Sequence, residues 1–187
     1  MQDQFRPFGR WISAYFRTYG GWTAVAQSPL FQISLVITGL NYSRWIKEGW
    51  VDLTQTLIPT LLGFSLGTYA ILFSLLGNRL KGAMSSVSND RGVSQLAAVN
   101  STFFHFIFVQ VLALIWAFLF SGTAVKDLFE QLPKSWIGAH NLYNALYLAG
   151  SAIGYLLLVY SVLLVLAAAM AIYRLAMIKD PADTSSS

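Results

Sequence analysis

Hydrophobic and polar positions are separated along this chain into long blocks. Four runs contain no Asp, Glu, Lys or Arg, namely Thr18–Ser43, Leu53–Asn78, Gly92–Val125 and Ser135–Tyr173. A helix needs roughly 20 apolar residues to cross a hydrocarbon layer ~30 Å thick. Because each run meets that length, the pattern predicts an all-α, polytopic membrane protein built as a bundle of four transmembrane helices.

Caps, breakers and charges set the predicted helix boundaries. The first span begins at Ser28-Pro29, since Ser is a good N-cap and Pro at the first helical position loses no hydrogen bond. The predicted spans cover about residues 28–45, 52–78, 95–121 and 142–177. Residues 180–187 are predicted to be a disordered tail. No stretch remains for a separate soluble core, so residues 1–187 are predicted to form one membrane domain.

The amino-terminal segment has a different pattern from the four runs. Phe8, Ile12 and Tyr15 recur at helical spacing, whereas Arg17 falls toward the other side of the same helix. A helix of this kind can lie in the headgroup plane, with its rings buried and its guanidinium groups near lipid phosphates. We therefore predict an amphipathic interfacial helix over residues 1–21.

Composition and charge support a membrane location and predict its orientation. The chain is 56% hydrophobic and only 11% charged, against ~25% charged residues in soluble domains. With the amino terminus inside, the inner segments carry eight Lys and Arg residues and the outer turns carry four. Because inner loops are usually the more basic ones, both termini are predicted to be cytoplasmic, in a bacterial-type inner membrane.

Small residues line one face of the second predicted span. They are spaced alternately by four and three residues: Thr56, Thr60, Gly63, Gly67, Ala70 and Ser74. Such a face lets another helix backbone approach closely. Pro59 lies in the same helix and cannot donate to the carbonyl of Gln55, so a hinge is predicted there. Two interpretations stay open, which are packing inside one bundle and a subunit interface or pore lining.

The fourth predicted span carries a second pair of small residues. Gly150 and Gly154 are four residues apart, as in the G-x-x-x-G helix-packing pattern. Asn144 lies near the same face and can hydrogen-bond across a helix interface. We predict a helix-packing or pore-lining role for this face as well.

The third predicted span contains a histidine and a glutamine at membrane depth. A neutral His105 can hydrogen-bond across the bundle, or it can act as a protonation-sensitive group beside a water-filled path. Gln110 lies about 140° from His105 on a helical wheel, and it can bond to a neighbouring helix or to another subunit. The sequence leaves both alternatives open.

Catalytic patterns in the sequence are weak. Gly63–Gly67 matches the G-x-S-x-G nucleophile elbow, but that elbow needs a strand-to-helix turn, and these residues lie inside an apolar helix. The sequence shows no glycine-rich phosphate loop, paired carboxylates or metal-ligand spacing. We therefore expect no enzymatic activity, cofactor or metal. A membrane enzyme that acts on lipid ranks third among the functional hypotheses.

Two other functional hypotheses follow from these patterns. The first is a homo-oligomer in the lipid bilayer that forms or gates a pore, or that senses membrane perturbation. The second is a non-conducting anchor or sensor that signals to a cytosolic effector protein through Arg79, Lys81 and Arg91. Membrane subunits of antiviral defence modules are one setting for such a sensor. Neither hypothesis involves direct binding to nucleic acid.

Overall fold

The computed structural model of the chain describes residues 2–47, 49–122 and 137–177, and the regular elements in those ranges are all helices. The predicted tail, residues 180–187, lies outside the described residues. In chain order the helices are α1 (Gln2–Tyr19), α2 (Gly21–Gln27), α3 (Pro29–Leu40), α4 (Tyr42–Ile46), α5 (Gly49–Leu75), α6 (Asn78–Ser86), α7 (Gln95–Ser121) and α8 (Ile137–Ala176).

Three of the described helices are long and apolar enough to cross a membrane. These stretches are Gly49–Ser74 in α5, Gln95–Ser121 in α7 and Asn141–Arg174 in α8, with mean hydropathies of 1.6, 2.3 and 2.5. Helices α2 and α3 pass the same test only together, as a pair bent by 60°. The described chain therefore has three candidate spans, or four if the bent pair crosses the membrane as one.

The bend between α2 and α3 has a local cause. Ser28 adopts an extended conformation, with φ −64° and ψ 124°, and Pro29 begins α3. A proline ring clashes with a helical conformation of the preceding residue, so the chain cannot continue α2 directly into α3. Ser28 caps α3 by position, as predicted, although its side chain makes no capping hydrogen bond.

The first predicted span, residues 28–45, is wrong as a continuous helix. Helix α3 ends at Leu40, and α4 begins at Tyr42 after a break at Asn41, whose φ is −100° and ψ is 32°. The Ile37 carbonyl accepts from both the side chain and the backbone N–H of Asn41, at 2.9 and 3.0 Å, which are the last bonds of α3. With 12 residues, α3 is only about 18 Å long, which is shorter than the hydrocarbon layer.

The other predicted spans differ less from the structure. Helix α7 covers the range assigned to the third span, Gln95–Ser121. Helix α5 covers Gly49–Leu75, so it begins and ends about one turn earlier than predicted, and it continues through Pro59. Helix α8 extends over 40 residues, Ile137–Ala176, and so begins before the fourth predicted span.

Helices α5, α7 and α8 pack against one another, and α1, α3, α4 and α6 pack around them. Buried apolar side chains form two main clusters between these helices. One cluster contains Trp50, Val51, Ile58, Ala113, Ala117 and Leu158. The other contains Phe103, Phe106, Val109, Tyr160, Leu164 and Ala168. The side chains of these two clusters therefore fill the interior of the bundle.

Gly150 and Gly154 on α8 are packing positions for aromatic rings. A Cβ at Gly154 would overlap the indole ring of Trp50, and a Cβ at Gly150 would lie 2.9 Å from Cε2 of Phe120. Trp50 is buried and donates from Nε1 to Oγ of Ser151 at 2.6 Å. Rings from α5 and α7 of the same chain therefore fill the space beside the two glycines.

Replacing Gly154 with alanine should destabilise the bundle. The added Cβ must displace the buried Trp50 ring, and overpacking of this kind typically costs about 1–3 kcal/mol. The measurement is the thermal unfolding midpoint of the purified protein in detergent. Gly39→Ala is the matched control, because a Cβ at Gly39 on α3 meets nothing within 4 Å. Equal unfolding midpoints for the two variants would contradict the packing role of Gly154.

Candidate functional site

His105 joins three helices through both of its ring nitrogens. The residue lies on α7 and is only 3% exposed. Its Nδ1 is hydrogen-bonded to the hydroxyl of Tyr15 on α1, and its Nε2 lies 2.9 Å from the hydroxyl of Tyr160 on α8. These bonds make His105 the centre of a polar cluster, which we call the His105 cluster (Tyr15, Tyr19, His105 and Tyr160).

Aromatic packing completes the contact between α1 and α7. The ring of Tyr19 stacks on the His105 imidazole, with centroids 4.2 Å apart and ring planes 20° apart. Tyr15 packs against Phe104 and Phe108, with centroid distances of 4.8 and 5.9 Å. The carboxyl-terminal half of α1 therefore places these rings against protein, although the sequence pattern assigned the ring-bearing face to lipid.

The hydroxyl partners allow His105 to keep either neutral tautomer. A neutral imidazole has one donor and one acceptor nitrogen, and a phenol hydroxyl can both donate and accept. Burial raises the pKa of the Tyr15 phenol, and the neighbouring Tyr19 adds to the rise, so Tyr15 stays protonated. Burial also raises the pKa of Tyr19. The cluster is thus an interhelical network in which tyrosine hydroxyls are hydrogen-bonded to His105.

Gln110 on α7 is fully buried and has no hydrogen-bond partner among the described residues. Its side chain is 0% exposed, and neither Oε1 nor Nε2 forms a hydrogen bond within the described part of the chain. The hydroxyls of Thr38 and Ser161 are also buried without a partner there. An unsatisfied buried polar group destabilises a fold by about 1–3 kcal/mol. The buried polar groups of Gln110, Thr38 and Ser161 therefore have no hydrogen-bond partner within the described residues.

The small-residue face of α5 points away from the chain's own core. Its members are all exposed: Thr56, Thr60, Gly63, Gly67, Ala70 and Ser74. A Cβ at Gly63 or Gly67 would meet nothing within 4 Å. The buried side of α5 carries Thr54, Ile58 and Ser65 instead. Packing inside one bundle, the first of the two interpretations above, therefore does not account for this face.

The remaining predicted site residues are placed as follows. Pro59 is exposed inside α5, and Asn144 is exposed on α8. Arg79 is exposed and Lys81 is half-buried on α6. Arg91 lies in the loop after α6, where its guanidinium group packs against Gly20. Neither that contact nor the pairing of Tyr15 with His105 could be predicted from the sequence pattern.

The fold shows which class of protein this chain belongs to. The described chain is all-helical, with three helices long and apolar enough to cross a membrane, or four with the bent pair. Neither the models of known protein families, nor the curated proteins, nor the solved structures contain a match to this chain.

Replacing Tyr15 with phenylalanine should loosen the docking of α1. The ring packing is kept, but the hydroxyl that bonds to His105 is lost and leaves a buried nitrogen without its partner. A loss of one or two kcal/mol corresponds to roughly a fivefold or greater increase in undocked α1. The measurement is the rate of trypsin cleavage after Arg10 and Arg17. Tyr42→Phe is the control, because Tyr42 is 61% exposed, and equal rates would contradict the docking role.

Replacing Gln110 with methionine should stabilise the isolated chain. Methionine has a similar shape and no amide to satisfy, so we expect a gain of about 1–3 kcal/mol in the free energy of unfolding in detergent. Gln55→Met is the control, because Gln55 Nε2 already donates to Ser121 Oγ at 3.3 Å. A lower stability of Gln110→Met than of the natural chain would show that the amide has a partner in the folded particle.

Proposed function

We propose that this chain is a subunit of a symmetric homo-oligomer in the membrane, and that the oligomer forms or gates a pore. The exposed small-residue face of α5 carries this proposal. Lipid supplies no hydrophobic force between helices, so close packing through small side chains is a main source of helix association in a bilayer. A face of this kind that the chain's own bundle leaves open is suited to a second copy of the chain.

The proposal includes a topology for each subunit. Helices α2 and α3 together supply a fourth span, and α1 lies at the membrane interface. Both termini are in the cytoplasm of a bacterial inner membrane. Support for this topology comes from the apolar length of the bent pair and from the eight-to-four distribution of Lys and Arg.

Conduction requires several copies in this proposal. Ile58, Phe103 and Phe106 are 0–2% exposed and fill the interior of one bundle, so a path must lie between subunits. Thr56 and Thr60 supply hydroxyls along the α5 face, and Pro59 between them is the proposed hinge. A lining with so few polar groups can gate by dewetting.

A sensing role fits the same arrangement. Trp11 on α1 is 74% exposed, whereas Tyr15 on the same helix is bonded to His105 of α7. Helix α7 in turn packs against α5. A membrane perturbation that moves α1 would therefore act through α7 on the helix that carries the proposed subunit interface.

Gly67→Leu should break the oligomer and reduce ion flux. The leucine side chain would occupy the space that another backbone needs, and we expect roughly a tenfold or greater loss of flux in liposomes. In detergent, the particle mass should fall toward that of the 20.7 kDa chain. Leucine is a better helix former than glycine, so the helix itself should be kept. Gly39→Leu is the matched control, since Gly39 on α3 also has nothing within 4 Å.

Two results would contradict the pore. One is a natural chain that stays a single copy in detergent and in bilayers, and the other is a well-folded oligomer that conducts no ions. Either result would favour the second candidate, a non-conducting anchor or sensor that signals to a cytosolic effector. The docking of the amphipathic helix α1 onto α7 supports that candidate, and Arg79, Lys81 and Arg91 are its proposed partner surface. We propose no catalytic step for this chain.

A further inference from the structure

Two arginines from distant parts of the sequence line one open pocket beside the turn between α1 and α2. Arg17 lies near the end of α1, and Arg91 lies in the loop between α6 and α7. The pocket has a volume of about 600 Å³ and is also lined by Phe16, Trp22 and Thr23. We call it the Arg17–Arg91 pocket.

Hydrogen bonds within the loop fix the backbone at Arg91. The Asn89 side chain accepts from the backbone N–H groups of Arg91 and Val93, both at 3.0 Å. The backbone N–H of Gly92 donates to the Asn89 carbonyl at 2.8 Å, and that of Gln95 donates to the Val87 carbonyl at 2.9 Å. The loop is therefore an ordered support that presents the Arg91 side chain to the pocket.

The turn at Gly20 provides the space for the Arg91 guanidinium group. Gly20 has a φ of 109°, in the left-handed region that favours glycine. A Cβ at this position would lie 2.7 Å from Nη1 of Arg91. The backbone conformation thus favours glycine, and the missing side chain leaves room for the guanidinium group of Arg91, which lines the same pocket as Arg17.

The two guanidinium groups have no counter-charge within the described residues. Neither Arg17 nor Arg91 forms an ion pair there, although Asp90 is adjacent to Arg91 in the sequence. Like charges in one pocket repel unless an anion binds between them. A planar guanidinium group matches a phosphate through two parallel hydrogen bonds.

The surroundings of the pocket fit a membrane surface. Trp22 lines the pocket and is 76% exposed, and indole rings prefer the boundary between headgroups and hydrocarbon. Phe16 packs against Trp22, with ring centroids 5.1 Å apart. The pocket therefore combines two cations with an aromatic pair, a combination suited to a phosphate headgroup with attached acyl chains.

We propose that the Arg17–Arg91 pocket binds the phosphate of an anionic phospholipid headgroup. The two guanidinium groups hold the phosphate, and the Phe16–Trp22 pair contacts the adjoining part of the lipid. The bound lipid links the α6–α7 loop to the α1–α2 turn. The site does not depend on the proposed pore. In it Arg91 binds a lipid phosphate instead of the cytosolic protein named in the second candidate function.

The test uses the delipidated full-length chain in detergent and native mass spectrometry. Phosphatidylglycerol should bind more tightly than phosphatidylcholine, and its binding should weaken with salt because the contact is between charges. The double variant Arg17→Gln, Arg91→Gln should bind phosphatidylglycerol roughly tenfold more weakly or worse. The double variant Arg44→Gln, Arg174→Gln is the matched control, because it removes two exposed positive charges elsewhere and should leave the affinity unchanged.

Three outcomes would overturn the lipid site. The first is equal binding of phosphatidylglycerol by the Arg17→Gln, Arg91→Gln variant and by the Arg44→Gln, Arg174→Gln control. The second is equal binding of the two lipids by the natural chain, and the third is displacement of phosphatidylglycerol by millimolar inorganic phosphate. The third outcome would identify a soluble phosphate compound as the ligand. The lipid preference of the natural chain tests the proposal even if the double variant fails to fold.

Discussion

A polar group in hydrocarbon has no water to bond with, so each one must find its partner inside the protein. This constraint accounts for the polar contacts that join the helices. Trp50 donates to Ser151, whose hydroxyl donates to the Trp45 carbonyl, and Trp116 donates to the Gly150 carbonyl at 2.9 Å. Together these bonds connect α4, α5, α7 and α8. The His105 cluster makes the equivalent connection between α1, α7 and α8. Within the described residues, the side chains of Gln110, Thr38 and Ser161 leave the constraint unmet.

Features that depend on neighbouring residues in the sequence could be predicted. The length of each apolar run predicted α5, α7 and α8, because the thickness of the membrane sets a minimum that can be counted along the chain. Pro29 marked the start of α3 through its effect on the residue before it. The break at Asn41 was missed, because an asparagine in an apolar run can equally well point toward another helix.

Features that depend on packing could not be predicted from the same patterns. Gly63 and Gly67 have the same spacing as Gly150 and Gly154, yet the first pair is open and the second is filled by the rings of Phe120 and Trp50. Periodicity shows which residues share a helix face, but the neighbours of that face come from elsewhere in the chain. The pairing of Arg17 with Arg91 in one pocket was missed for the same reason.

The long sequence separations within the His105 cluster have a consequence for biosynthesis. Tyr15 and His105 are 90 residues apart, and His105 and Tyr160 are a further 55 apart. Because a ribosome releases the chain amino terminus first, α1 emerges well before either of its partners exists. The helix must therefore remain undocked during most of translation, and its attachment can be completed only after α8 has been synthesised.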